Sequence, residues 1–294
     1  MRSTVRAVHI HLPNFGPELE DALIREFAAV CPVRDWFFVR YWLGGPHVRI
    51  RTVDSGDAVE LLTLARRAFD SVVPQGTPRL DQDAYLDAVR DLATAGEGGI
   101  AIDPGDLRPA GVYPAPYVPE YERYGGAAGF DTITRVFTHS SAIALRALAH
   151  DAVTPNIRMN AALHYVLRVM SDYAWEFGRE EARALAEGGR AFWHRRLSGE
   201  RAGSGARVPV AESAAATAAG LMRDLRAAGP AAFDVLAPAP ADITGLLRGW
   251  NPQRRRGILI SIIHMHNNRL GCGGPPEYAL FHLVSHVMNT GREQ

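Results

Sequence analysis

Residues 264–269 read His-Met-His-Asn-Asn-Arg. Two imidazoles and a guanidinium so close together can exchange protons near neutral pH and grip an anion. They follow an apolar run from Ile258 to Ile263. Apolar runs are normally buried, so the polar cluster is delivered where a buried element, spanning about 257–271, comes to its end.

A second cationic set alternates along His47-Val48-Arg49-Ile50-Arg51. In a strand, His47, Arg49 and Arg51 share one face while Val48 and Ile50 share the other. Parallel arginines repel one another unless an anion lies between them, so this face is expected to hold one. A third set is crowded into residues 113–126, Tyr-Pro-Ala-Pro-Tyr-Val-Pro-Glu-Tyr-Glu-Arg-Tyr-Gly-Gly. Its prolines hold the backbone extended and allow few ladder hydrogen bonds. Tyr121, Arg123 and Tyr124 sit among them, and such density of polar aromatic groups in a connector is expected of a functional loop.

These residues need elements to position them. Residues 5–12 alternate weakly, as in a short strand. Leu19, Leu23, Phe27 and Val30 recur at helical spacing over 17–30, with acids in the first turns. The aromatic and β-branched run 36–42 then turns at Gly44-Gly45-Pro46 into the 47–51 strand, forming a hairpin. Arg40 on the facing strand is expected to join the cationic face. Amphipathic helices follow at about 56–73 and 81–94. The chain then reads as helices at about 130–148, 155–177, 179–197, 210–228, 240–249 and 275–288, with a polar, Gly-rich mobile loop at about 198–209. The fold class is α+β: an N-terminal strand-helix-hairpin-helix unit with a small mixed sheet, then a mostly helical remainder. We expect a single domain over 1–294, with the α+β unit at about 1–112 and the loop and helical part at about 113–294.

Composition narrows the function. The formal net charge is zero, so no global field draws the chain to nucleic acid or to a membrane. Every basic residue is arginine. Cys31 and Cys272 are too few for a disulfide framework or a Cys-rich metal site. No signal peptide and no stretch of spanning length is evident, which reads as cytoplasmic. His282 and His286 share a helix face, but no third ligand has matching spacing and the Glu of a zinc-protease helix is absent, so no metal is expected. His164, inside a helix, reads as a core histidine. No P-loop, dinucleotide glycine fingerprint or G-x-S-x-G elbow is present.

Taken in order, the aromatic strand with His-Val-Arg-Ile-Arg, the Pro-Glu-Tyr-Glu-Arg-Tyr-Gly-Gly loop and the His-Met-His-Asn-Asn-Arg-Leu-Gly run resemble the C-terminal domain of class I lantibiotic dehydratases. They equally resemble the stand-alone thiopeptide-type bacteriocin biosynthesis proteins. The resemblance covers nearly the whole chain. It implies a split dehydratase in which a separate tRNA-dependent protein glutamylates Ser or Thr of a ribosomally made precursor peptide. This chain would then eliminate glutamate to leave dehydroalanine or dehydrobutyrine. No cofactor and no direct nucleic-acid contact is implied. A relative of the same fold, the thiopeptide pyridine synthase, joins two dehydroalanines and expels the leader, and stands as the alternative. A silent leader-binding subunit is the third reading.

By the same resemblance, the family's strand arginines fall on Arg49 and Arg51, its loop arginine on Arg123 and its histidine on His264. A β-elimination must remove a weakly acidic Cα proton, hold an enolate and release a carboxylate. Histidine suits the first task, and arginines suit the other two. His264 is therefore expected as the base, with Arg49, Arg51 and Arg123 dividing carboxylate binding and enolate stabilisation. Arg40, Tyr121, Tyr124, Asn268 and Arg269 are expected to bind substrate. His266 would stand behind the site, because two positions along a helix place it about 200° around the axis from His264. The leader is expected to add a strand to a sheet edge within residues 5–53.

Overall fold

A computed structural model describes residues 4–54, 57–95, 103–150, 152–198, 210–228 and 240–290. The mobile loop expected at 198–209 falls, apart from Ser198, outside them. The N-terminal unit runs β1 (Val5–His11), α1 (Pro17–Val30), β2 (Trp36–Tyr41), β3 (His47–Val53), α2 (Ala58–Val72), α3 (Gln82–Ala95) and β4 (Gly111–Ala115). The sheet order is β2-β3-β1-β4. This is the split βαβ arrangement: β1 and β2 run parallel but never touch, because β3 fills the slot between them. The α+β class is as expected. Each hydrogen-bonded pairing within the small sheet is antiparallel.

Alternation decides the two faces. Val8, Ile10, Phe38, Val48 and Ile50 are almost completely buried and pack toward α1 and α2. Each such side chain contributes about 1.5–3 kcal/mol relative to an exposed position. The opposite face carries His47, Arg49 and Arg51, with His9 and His11 beside them on β1 and Phe37 and Tyr41 on β2. Register therefore corrects one expectation. Arg40 stands opposite Val48, on the core face, and not beside the cationic row.

The remainder is helical: α4 (Phe130–Leu148), α5 (Pro155–Phe177), α6 (Arg179–Ser198), α7 (Glu212–Ala228), α8 (Pro240–Arg248), α9 (Pro252–Arg269) and α10 (Pro275–Thr290). The apolar run at 258–263 lies within α9, which begins several residues earlier than expected. Asn251 caps it by accepting from the Arg254 N–H, and Pro252 opens it. The helix ends at Leu270, with Gly271 at a φ of +72°.

The helical half closes on β2. The Phe38 N–H donates to Ser141 Oγ on α4 at 3.2 Å. Asn268 on α9 both accepts from the Arg40 N–H and donates to the Arg40 carbonyl, each at 2.9 Å. Side chains thus take the place of a neighbouring strand. Within residues 5–53 only β2 presents a sheet edge, since β1 and β3 are interior. That edge is sealed at Phe38 and Arg40, so the expected strand addition there has no room. The open edge is β4, thinned by Pro114, which has no N–H.

Candidate active site

α9 carries two histidines to opposite sides of itself. His264 is partly exposed, and its Nδ1–H donates to Glu277 Oε2 on α10 at 2.9 Å. Glu277 is fully buried. The Trp193 ring of α6 lies 5.3 Å from the imidazole. A carboxylate can only accept, so it fixes the proton on Nδ1 and leaves the Nε2 lone pair free to take a proton. His266 is different: it is fully buried, stacked on Tyr165 at 3.7 Å and hydrogen-bonded to Ser140. Burial, then the charge of Arg269, hold it well below the usual histidine range, so it stays neutral.

The loop that follows β4 reaches the same helix. Tyr113 belongs to β4 and pairs with His9, so the loop begins later than expected, after Ala115. Pro114 does not prevent the pairing of its neighbours because antiparallel bonds fall on alternate residues. Arg123 donates from Nε to Ser261 Oγ at 3.2 Å and is steadied by Glu120 at 3.0 Å. Ser261 lies one helical turn before His264, so Arg123 is held beside the candidate base. Tyr121 packs edge-on against Phe130 at 5.6 Å and is half-buried.

The same loop lies over the cationic face. The Arg51 guanidinium stands 5.2 Å from the Tyr117 ring and 5.5 Å from that of Phe37. Arg269, fully buried at the end of α9, donates from Nε to Ser141 Oγ at 2.9 Å and from Nη1 to the Met265 carbonyl at 2.6 Å. Among the described residues, no carboxylate lies within ion-pair distance of Arg51 or Arg269. Arg51 Nε, Arg269 Nη2 and Tyr124 Oη are buried and have no hydrogen-bond partner. Burial pushes both arginines down to about 10, and each still carries its charge at neutral pH. Burial also raises Tyr124 to about 12, so its hydroxyl remains a donor. Arg49 lies 3.4 Å over the Tyr41 ring and donates from Nε to His47 Nε2 at 3.1 Å.

The expected residues thus separate. Arg51, Arg123, Tyr124 and Arg269 gather around the 116–126 loop, Arg49 stands next to Arg51 on the sheet face against Tyr41 and His47, and His264 stands one turn along α9 from the Ser261 that anchors Arg123. Arg40 and Asn268 do not join them. Arg40 is buried in a charge network with Glu20 and Asp21 of α1 and Arg158 of α5. Burial works against its charge, but the two carboxylates outweigh it and hold Arg40 above the usual range. Asn268 spends its amide on the β2 backbone. His164 is half-buried on α5 and not in the core, and His286 is exposed on α10.

Sequence reasoning missed Glu277, Ser261, Trp193 and Tyr117. Glu277 reads as an ordinary acid in the first turn of α10, and nothing in its spacing ties it to His264. It also missed His9 and His11, whose alternation along β1 was a usable signal once β1 was paired with β3.

A split βαβ sheet docks on a helical half, and along the seam stand an imidazole–carboxylate pair, able to move a proton, and, among the described residues, two guanidiniums with no carboxylate in ion-pair distance, able to hold an anion. The profile of the family described as "Lantibiotic biosynthesis dehydratase C-term" matches residues 18–288. The chain belongs to that family, and with it to the enzymes that tailor ribosomally made peptides. Among solved structures, the pyridine synthase TbtD from thiomuracin biosynthesis is similar end to end. It has a TM-score of 0.62, is 17% identical, and 98% of each chain is covered. The tRNA-dependent lantibiotic dehydratase MibB from Microbispora sp. 107891 matches with a TM-score of 0.55 and 18% identity. That match covers 97% of this chain but only 28% of the dehydratase. At such identities both likenesses speak for the fold. No curated protein matches.

Proposed function

We propose that this chain removes glutamate from glutamylated Ser or Thr of a ribosomally made precursor peptide, leaving dehydroalanine or dehydrobutyrine. One observation carries the reading: among the described residues, Arg51 and Arg269 are cations with no carboxylate in ion-pair distance, and Arg51 Nε, Arg269 Nη2 and Tyr124 Oη are unsatisfied. Burying a charge without a partner is costly, so the fold is waiting for an anion from its substrate. A glutamyl ester supplies one on arrival and a second on departure.

In this mechanism His264 Nε2 takes the Cα proton, and Glu277 steadies the imidazolium that forms. The Cα electron pair becomes the Cα=Cβ bond as the Cβ–O bond breaks, and glutamate leaves as a carboxylate. Arg51, Arg269 and Tyr124 hold that carboxylate, while Arg49 and Arg123 face the enolate. A separate tRNA-dependent protein supplies the glutamylated peptide. Its leader docks along the open β4 edge, beside a cavity of about 350 Å³ lined by Val5, Leu61, Leu62 and Tyr117.

A second reading, pyridine formation from two dehydroalanines with leader release, is favoured by the end-to-end likeness to a pyridine synthase of similar length. It produces no carboxylate and gives the two unpaired arginines nothing to bind. Mass spectrometry of the full chain with two leader-bearing peptides separates the readings. Glutamate loss from a glutamyl-seryl peptide, slowed about 10²–10⁴-fold in His264→Ala, supports elimination. A new pyridine and a free leader from a bis-dehydroalanine peptide overturns it, as does unimpaired elimination by a folded His264→Ala protein.

A further inference from the structure

The cationic face of the sheet continues from β3 onto β1 into a group of histidines that the proposed elimination does not use. His9 and His11 occupy alternate positions of β1, and His47 pairs directly with His11 across the ladder. One nitrogen from each of the three lies within 4.8 Å of the others. His11 and His47 are almost completely buried, and His9 is half-buried. We propose that these imidazoles form a binding site for one divalent transition ion of the zinc, cobalt, nickel or copper type.

Two details of hydrogen bonding support the site. The His47 Nδ1–H donates to the Gly45 carbonyl at 2.8 Å. A metal-binding imidazole is ordinarily held this way, with one nitrogen tied to a carbonyl and the other presenting its lone pair. At His47 that lone pair is on Nε2 and now accepts from Arg49. His11 Nδ1 is buried and has no partner at all, which makes it a donor atom with an unspent lone pair. Three imidazoles with no thiolate or carboxylate suit borderline ions and leave the fourth tetrahedral position open.

The surroundings set the terms of binding. The His11 and His47 rings stack at 4.3 Å and 17°, so at least one must turn about its Cβ–Cγ bond before both planes contain the ion. Arg49 must release His47. Arg49, Arg51 and Arg108 all place positive charge near His9. The ion therefore takes an anion (chloride, hydroxide or a carboxylate) as its fourth ligand, which offsets that repulsion. Arg49→Met, by removing both a competitor for the lone pair and a like charge, tightens binding.

The test is a Co²⁺ titration of the full, tag-free chain, followed by the visible absorption of tetrahedral cobalt and by Zn²⁺ displacement. The site predicts one Co²⁺ per chain, displaced by one Zn²⁺. The signal is lost in His11→Ala and in His9→Gln, and retained when His282 and His286 on α10 are both changed to Ala. His9 is partly exposed, so His9→Gln decides the matter if His11→Ala fails to fold. Absence of a tetrahedral cobalt spectrum in the folded wild-type chain overturns the proposal. So does a spectrum that survives His9→Gln or disappears with the α10 pair.

Discussion

Replacing Arg269 by Met tests the unpaired-cation argument directly. Arg269 is held down at about 10, well below the usual arginine range, chiefly by burial. At about 1.4 kcal/mol for each tenfold, its charge is disfavoured in the fold by roughly 3 kcal/mol. Methionine removes that penalty and keeps apolar contact with Phe137, whose ring lies 5.1 Å from the guanidinium. It also forfeits the bonds to Ser141 and to the Met265 carbonyl, worth about 1–3 kcal/mol each for a charged donor. The two effects nearly cancel, so without ligand the variant's Tm lies within about 4 °C of wild type. With L-glutamate at about a hundred times its Kd, wild type gains about 2.7 kcal/mol and the variant gains nothing. Elimination from a glutamyl-seryl peptide falls by about 10²–10³-fold, as for loss of a donor to developing charge. Thermal shift with and without glutamate, together with single-turnover mass spectrometry, reads all three. A wild-type Tm that ignores glutamate would sink the argument. So would a ligand-free Arg269→Met protein destabilised by well over 3 kcal/mol, because the cation would then have been satisfied within the fold.

Further outcomes follow from single contacts. Glu277→Gln keeps the shape but removes the charge that His264 leans on, worth about 1.5–3 kcal/mol, so elimination slows about 10–10²-fold with KM little changed; a loss below threefold rejects the pair. In Gly189→Ala the new Cβ would lie 2.2 Å from the Phe281 ring, where α6 and α10 meet one turn from Trp193 and Glu277. It should cost about 1–3 kcal/mol in a denaturant melt, and an unchanged midpoint contradicts the close approach. His266 is neutral in the fold and titrates near 6.5 when unfolded. The unfolded chain therefore takes up its proton first, and stability present above about 6.5 is lost as pH falls toward the lower folded value. A His266→Gln protein should show a stability–pH slope between pH 7 and 5 shallower by up to about 1.4 kcal/mol per pH unit. Equal slopes would remove His266 as the cause.

Much of this was legible in the sequence because it depends on local periodicity. The helical spacing of Leu23 and Phe27, the alternation of Val48 and Ile50, and the capping and turn residues report structure within a few positions of themselves. What the sequence hid depends on register. Arg40 alternates with its neighbours in a way that fits either sheet face, and only the pairing of Arg40 with Val48 sends it to the core. His9, His11 and His47 look unrelated until β1 is laid beside β3. Glu277 meets His264 only because α10 folds back along α6 and α9. Asn268 looks like part of a polar cluster, yet its amide closes the edge of a strand far away in sequence.

The placement of carboxylates distinguishes structural charge from functional charge. Behind the sheet, Arg40 and Arg158 are matched by Glu20 and Asp21. The same two arginines donate to the Arg269 and Leu270 carbonyls at 3.0 and 2.8 Å, closing the last turn of α9. That network neutralises itself and fixes the helix end that carries Arg269. In front of the sheet, Arg51 and Arg269 lie near each other, and among the described residues no carboxylate stands within ion-pair distance of either. A chain selected only for stability would have paired them or replaced them with apolar residues of similar volume. In the proposed elimination, rigid support on one side and unpaired charge on the other act together as a preformed anion site, held in place by ion pairs that stand behind the sheet.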